Sequence, residues 1–177
     1  FLNSKDPQKR EKLIDQLLGL TGDPEKDIYN NQYSAYWTLK WSDLIRNQSN
    51  KVGGQGMWAM HNWVKSSFRT NKPFNKFVSE LVTAKGSIYS NGPANYFRIN
   101  SNSSDLTEST VQLFLGIRLQ CAKCHHHPFE KYSQEDYRGF SAFFSRVGTK
   151  NSQEFGLFGR ASVVVVRPTG SANGQPR

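Results

Sequence analysis

Two cysteines in 177 residues are too few for a disulfide scaffold, because small secreted knots space several half-cystines widely along the chain. Long apolar runs are also missing. No stretch approaches the ~20 residues that a membrane helix requires, and the mean hydropathy is −0.66, so a membrane span is not expected. Acidic residues are in deficit, with 14 Asp and Glu against 23 Lys and Arg and a formal net charge of +9. There are no internal repeats, no paired carboxylates, no Ser/His/Asp set and no phosphate-binding glycine loop. The basic excess is dispersed and accompanies no nucleic-acid-binding motif, so nucleic acid is not an expected partner. Aromatic residues, by contrast, make up 13% of the chain, enough bulk to build a core and to exclude generic disorder.

The chain opens on Phe1-Leu2-Asn3 with neither Met nor a signal-type segment, and it closes on a polar, Gly-rich stretch from Pro168 to Arg177. We read it as a piece of a longer protein, with a helical domain over residues 1–150 and a C-terminal extension or the start of a next segment over 151–177.

Hydrophobic periodicity predicts a mainly α fold with long ordered loops and a short C-terminal strand. Asp6-Pro7 reads as a helix start, Leu13, Ile14, Leu17 and Leu18 form a stripe behind it, and Gly22 is expected to end it. A second helix is predicted over 31–46 on Tyr33, Trp37, Trp41, Leu44 and Ile45. A third is predicted over 57–68, after a polar loop at 47–56. A fourth begins at Pro73. Residues 85–100, punctuated by Gly and Pro, read as a long ordered loop. Asp105 with Glu108 has capping-box spacing, and the helix behind it is expected to run into Cys121. Ser133 with Asp136 is a second cap ahead of Tyr137 and Phe140. Val163 to Val166 reads as a strand whose partner is expected in sequence outside this chain. The clusters Tyr33/Trp37/Trp41 and Phe140/Phe143/Phe144 are assigned to the core, with some members free to line a cofactor pocket.

One signal is sharp: Cys121-Ala122-Lys123-Cys124-His125. Cys-x-x-Cys-His is the attachment pattern of c-type haem. Two thiols three residues apart on one turn reach two vinyl groups on one side of a porphyrin, and the following imidazole then lies under the iron. Other readings stand beside it. The cysteines would serve as a redox dithiol in a βαβ setting, which these helical flanks lack. They would serve as zinc ligands with His125 and His127, or with His61. They would otherwise be ordinary packed residues.

A haem needs a sixth ligand or an open face. His126 and His127 follow His125 directly and cannot easily cross the ring. That leaves His61 as the candidate distal ligand, with Met57 and Met60 beside it; a lone helical histidine is more often packing than ligand. His127, ahead of Pro128, is a candidate second-shell group or a solvent-facing one. Arg98, Arg118, Lys123 and Lys131 flank the motif in sequence; a solvated basic surface is the leading reading of the basic excess, ahead of contacts to haem propionates, an acidic partner or an anionic polymer.

The run Leu115–Gln120 into CAKCHHHPFEKYSQEDYRGFSAFF resembles the planctomycete-type (PSCyt) cytochrome c domains of large secreted bacterial proteins. So do YWTLKWSDLIR at 36–46, NKPFNKFVSELVTAKGSIYSNGPANYFR at 71–98, and the opening helix with Lys9, Arg10, Lys12, Leu13, Ile14 and Leu17. The resemblance covers most of residues 5–148, with its segments in order. His126 departs from it, since Asn or Asp is commoner there, and Gly92 stands where Pro is common.

The resemblance implies one covalent haem c on Cys121 and Cys124, with His125 proximal, in a periplasmic or otherwise exported protein. The role of such domains is poorly defined. The expected function is single-electron transfer to a redox partner protein or a neighbouring domain of the parent chain, not catalysis by the domain itself. The alternatives are a haem enzyme or gas-binding domain with an open distal face, and a zinc-stapled interaction module.

Overall fold

The computed structural model describes residues 1–23, 25–152 and 160–167. Pro168 to Arg177, read from sequence as a polar stretch, lies outside the described residues. The fold is mainly helical with one small sheet, as the periodicity predicts. In order it comprises α1 (Lys9–Leu18), α2 (Asn30–Leu44), α3 (Ser49–Arg69), α4 (Phe74–Val82), β1 (Gly86–Ser87), a 3₁₀ turn (Gly92–Asn95), α5 (Tyr96–Ile99) and α6 (Ser103–Leu115). A second 3₁₀ turn (Leu119–Lys123), α7 (Gln134–Ala142), β2 (Val147–Ser152) and β3 (Arg160–Val166) follow. No helix among the described residues is long and apolar enough to cross a membrane.

Two cores hold the molecule together. The larger gathers Ile45, Met60, Val64, Leu81, Ile88, Tyr96 and Val164 from α2 to β3. The smaller gathers Val111, Leu119, Ala122 and Tyr137. Phe140 packs against both and joins them.

Several boundaries differ from the sequence expectation, each for a local reason. Helix α1 ends at Gly19, not Gly22. Leu20 N–H closes back on the Asp15 carbonyl at 2.9 Å, the longer-range bond of a Schellman-type ending. Asp6 is not the N-cap of this helix, which is Gln8 with no side-chain cap; the Asp6 carboxylate instead accepts from Gln8 N–H at 2.9 Å ahead of the first helical residue, Lys9. The 47–56 segment is mostly helical rather than loop. It forms the first part of α3, kinked at Gly53 with φ 76° and ψ 164°.

On α2 the buried side chains are Ser34 and Thr38, followed by Ile45, while Leu44 is exposed. Small residues on that face let α3 pack close, and the Thr38 hydroxyl is satisfied by the Ser34 carbonyl at 2.6 Å. Phe143 is 79% exposed and so is not core, whereas Phe144 is buried.

The 85–100 region is the largest departure. It is ordered, as expected, but it is part of the core rather than a covering loop. Asn95 is buried with its amide donating to the Ile88 and Gly92 carbonyls at 2.7 and 3.0 Å. Tyr96 is buried with its hydroxyl 2.9 Å from Thr110 Oγ1. Buried amide and hydroxyl groups that satisfy irregular backbone allow a coil to sit inside a protein.

Glycine makes this packing possible at one point. A Cβ on Gly92 would overlap the Ala59 carbonyl oxygen of α3 and lie 2.9 Å from its carbon.

Residues Val163–Val166 do form strand, but their partners lie within the chain. Strand β3 is central in a sheet of order β1-β3-β2, antiparallel to both neighbours, with Gly86 opposite Val164 and Val147 opposite Val166. Val164 is 1% exposed.

Candidate functional site

Helix α6 starts one cap earlier than Asp105/Glu108 spacing suggests. Asn102 is the N-cap, and its side chain accepts from Asp105 N–H at 2.8 Å. The helix does not run into Cys121; it ends at Gly116, where φ is 70°. That left-handed residue turns the chain so that Leu119 and Ala122 of the second 3₁₀ turn face inward onto α6 and α7. Cys121 and Cys124 then fall on the opposite side. Both are exposed and both are free thiols.

Two side chains outside the motif fix this turn. Gln134, at the start of α7, donates its amide to the Lys123 and Cys124 carbonyls at 3.1 and 3.3 Å. Its own helix is held by the Ser133/Asp136 capping box predicted from sequence, with Ser133 N–H donating to Asp136 at 2.7 Å and Asp136 N–H to Ser133 Oγ at 3.1 Å. The Ser133 bonds hold the Asp136 carboxyl below the usual carboxylate range. The second is His127. Its Nδ1 accepts from the Phe129 and Glu130 N–H groups at 3.2 and 3.0 Å, and its Nε2 lies 3.1 Å from the Arg118 carbonyl. Two incoming donors on Nδ1 require the proton on Nε2, which donates to Arg118. His127 therefore ties residues 127–130 to residue 118 across the base of the motif.

His125 carries the opposite tautomer. Its Nδ1 lies 2.6 Å from the His126 carbonyl oxygen, which can only accept, so Nδ1 bears the proton. The lone pair on Nε2 is left exposed to solvent. This is the orientation in which a histidine binds a metal through one nitrogen while a backbone carbonyl holds the other.

The distal candidates lie elsewhere. Met60 is 0% exposed and belongs to the larger core, with Met57 packed against that core. His61 is half-buried on α3, its ring edge-on to Trp58 at 5.1 Å, and burial followed by the nearby Lys65 charge push its pKa below the ordinary histidine value. Helix α3 packs chiefly on α2, α5 and the Gly92–Asn95 turn, whereas the cysteine turn packs on α6 and α7. The structure thus gathers Cys121, Cys124, His125 and His127 and leaves His61, Met57 and Met60 in a separate neighbourhood.

Among the described residues, no group of three or more His, Cys, Asp or Glu is arranged to hold a metal ion. Sequence reading missed Gln134 as a support of the cysteine turn; its place directly after a capping serine was the available signal. Of the flanking cations, Lys123 reaches Glu108 at 3.9 Å. Phe129 projects beside the motif, 91% exposed.

No curated protein and no solved structure matches the chain. The family model PSCyt2, described as a protein of unknown function (DUF1549), matches residues 1–149, and the chain therefore belongs to that family.

Proposed function

We propose that this chain is a c-type haem domain of the planctomycete cytochrome kind, carrying one haem for single-electron transfer in an exported protein. The observation that carries the reading is the donor set. Two free, exposed thiols sit three residues apart on one rigid turn, and the next imidazole presents a bare Nε2.

The residues fit the group. Cys121 and Cys124 would hold it through thioether sulfurs, and His125 would bind the iron through Nε2. When bound, haem supplies a reversible ferrous/ferric couple. The chain's own part is orientation. Gln134 fixes the carbonyls of the turn, and His127 closes the loop beneath it. The His126 carbonyl keeps the proton on His125 Nδ1, which leaves Nε2 as the ring nitrogen to bind a metal. The exposure of Cys121, Cys124 and His125 supports access by a redox partner protein or a neighbouring domain to a group held there.

A second reading, an open distal face suited to peroxide or a diatomic gas, is favoured by one observation: Met57 and Met60 pack with another core, and His61 lies on the same helix, which packs chiefly on α2, α5 and the Gly92–Asn95 turn. His61→Ala separates the two, since the low-spin absorption spectrum changes only if His61 is a ligand.

The test of the main reading is expression in a host with periplasmic haem-attachment machinery. Haem staining should survive boiling in detergent, and the mass should exceed that of the bare chain by one haem. Cys121→Ser with Cys124→Ser should abolish both. Colourless protein of bare-chain mass from such a host refutes the reading.

A further inference from the structure

A second cleft, independent of the haem reading, lies where α3, α5, the start of α6 and the base of the β2–β3 ribbon meet. Its volume is about 390 Å³. Three cationic side chains from three parts of the chain line it: Lys51, Arg98 and Arg167. Among the described residues, no Asp or Glu lines it. In a protein of net charge +9, a concavity walled by one sign of charge focuses the field and concentrates anions.

Hydrogen-bond donors converge there as well. Ser101, Asn102, Ser103 and Thr149 contribute to the walls. Ser103 is the first residue of the 13-residue helix α6, so the partial positive charge of that helix start adds to the cations. The nearest helix-start carboxylate, Asp105, is turned aside: the Asn102 amide donates to it at 2.9 Å, and it lines a different cleft.

Arg167 is preset in position. Its N–H donates to the Arg146 carbonyl at 2.8 Å and its own carbonyl accepts from Arg146 Nε at 2.7 Å. Its guanidinium rests on Gly148, where a Cβ would meet Nη2 at 2.8 Å and Nε at 2.9 Å. Phe97 and Phe144 form part of the lining beside these polar groups.

We propose that this cleft is a binding site for a phosphate or sulfate monoester, its tetrahedral oxyanion held by Lys51, Arg167 and the start of α6. The space favours an ester over the free ion. A tetrahedral anion fills the room of a few waters, each about 30 Å³, and the remainder is flanked by phenyl rings. A planar guanidinium fork suits paired oxygens of such groups, and lysine adds a point charge.

Isothermal titration calorimetry on the whole chain at neutral pH and low salt tests this. Phenyl phosphate, phenyl sulfate, inorganic phosphate and phenol are the probes. The two esters should bind saturably, more tightly than inorganic phosphate, with phenol silent. Lys51→Gln and Arg167→Gln should each weaken ester binding about tenfold, the scale of one charge-assisted hydrogen bond.

Gly148→Ala keeps every charge but displaces the guanidinium, and it should weaken binding too, with thermal melting confirming that each variant is folded. The proposal is overturned if the wild type shows no saturable binding, if inorganic phosphate matches the esters, if phenol matches them, or if folded Arg167→Gln and Gly148→Ala bind as the wild type does.

Discussion

Replacing His127 by alanine tests the tautomer-fixed tie beneath the cysteine turn. The imidazole makes three hydrogen bonds, accepting from Phe129 and Glu130 N–H and donating to the Arg118 carbonyl, at 3.2, 3.0 and 3.1 Å. A net hydrogen bond contributes about 0.5–1.5 kcal/mol. The site is only half-buried, so water replaces part of what is lost. An expected loss of about 2 kcal/mol follows. For a chain of this size each kcal/mol moves the melting temperature by about 2–4 °C, so scanning calorimetry should read a fall of about 4–8 °C.

His127→Asn supplies an internal control. Its side-chain oxygen can accept from N–H groups two and three residues on, as Asx turns do, and it should recover about half of the loss. The two tautomers are directly visible in ¹⁵N spectra: Nδ1 of His127 should resonate as an unprotonated nitrogen, and Nδ1 of His125 as a protonated one. The reasoning is refuted if alanine shifts melting by less than about 1 °C, if asparagine is no better than alanine, or if both histidines show the same tautomer.

Three further outcomes are expected. Gly92→Ala drives a methyl into the Ala59 carbonyl and should cost about 1–3 kcal/mol, measured by urea unfolding. Met60→Ala should cost about 2–5 kcal/mol as a cavity in the main core, yet leave the absorption spectra of oxidised and reduced haem-loaded protein unchanged; altered spectra would make Met60 a ligand. Because burial lowers the His61 pKa below its ordinary 6.5, the unfolded chain binds more protons near and below that pH. Stability should therefore fall as pH drops through that window, and His61→Gln should flatten the slope of urea midpoint against pH.

What the sequence could reveal follows from the reach of the interactions involved. The Ser133/Asp136 cap was legible because a capping box spans four consecutive residues. The helices of α2, α3 and α4 announced themselves through apolar spacing. The same signal misread α2, whose buried positions are Ser34 and Thr38, residues that carry no hydrophobic period. It also misread 85–100, where the burial of Asn95 and Tyr96 depends on bonds to Ile88, Gly92 and Thr110. The separation of His61 from Cys121 was out of reach for a related reason. It depends on which core each helix joins, and Phe140, the residue that joins the cores, touches both.

The placement of β3 bears on how the protein is made. The family match stops at residue 149, but the strand that seats Val164 in the main core and lies between β1 and β2 is built from Arg160–Val166. During synthesis Gly86 and Ser87 leave the ribosome more than seventy residues ahead of the strand they pair with. That wide gap carries a loop-closure cost that grows only slowly with length but delays the pairing until the later segment arrives. A nascent chain halted at residue 149 would therefore lack the strand that zips the sheet, and would present an open apolar slot to chaperones and proteases.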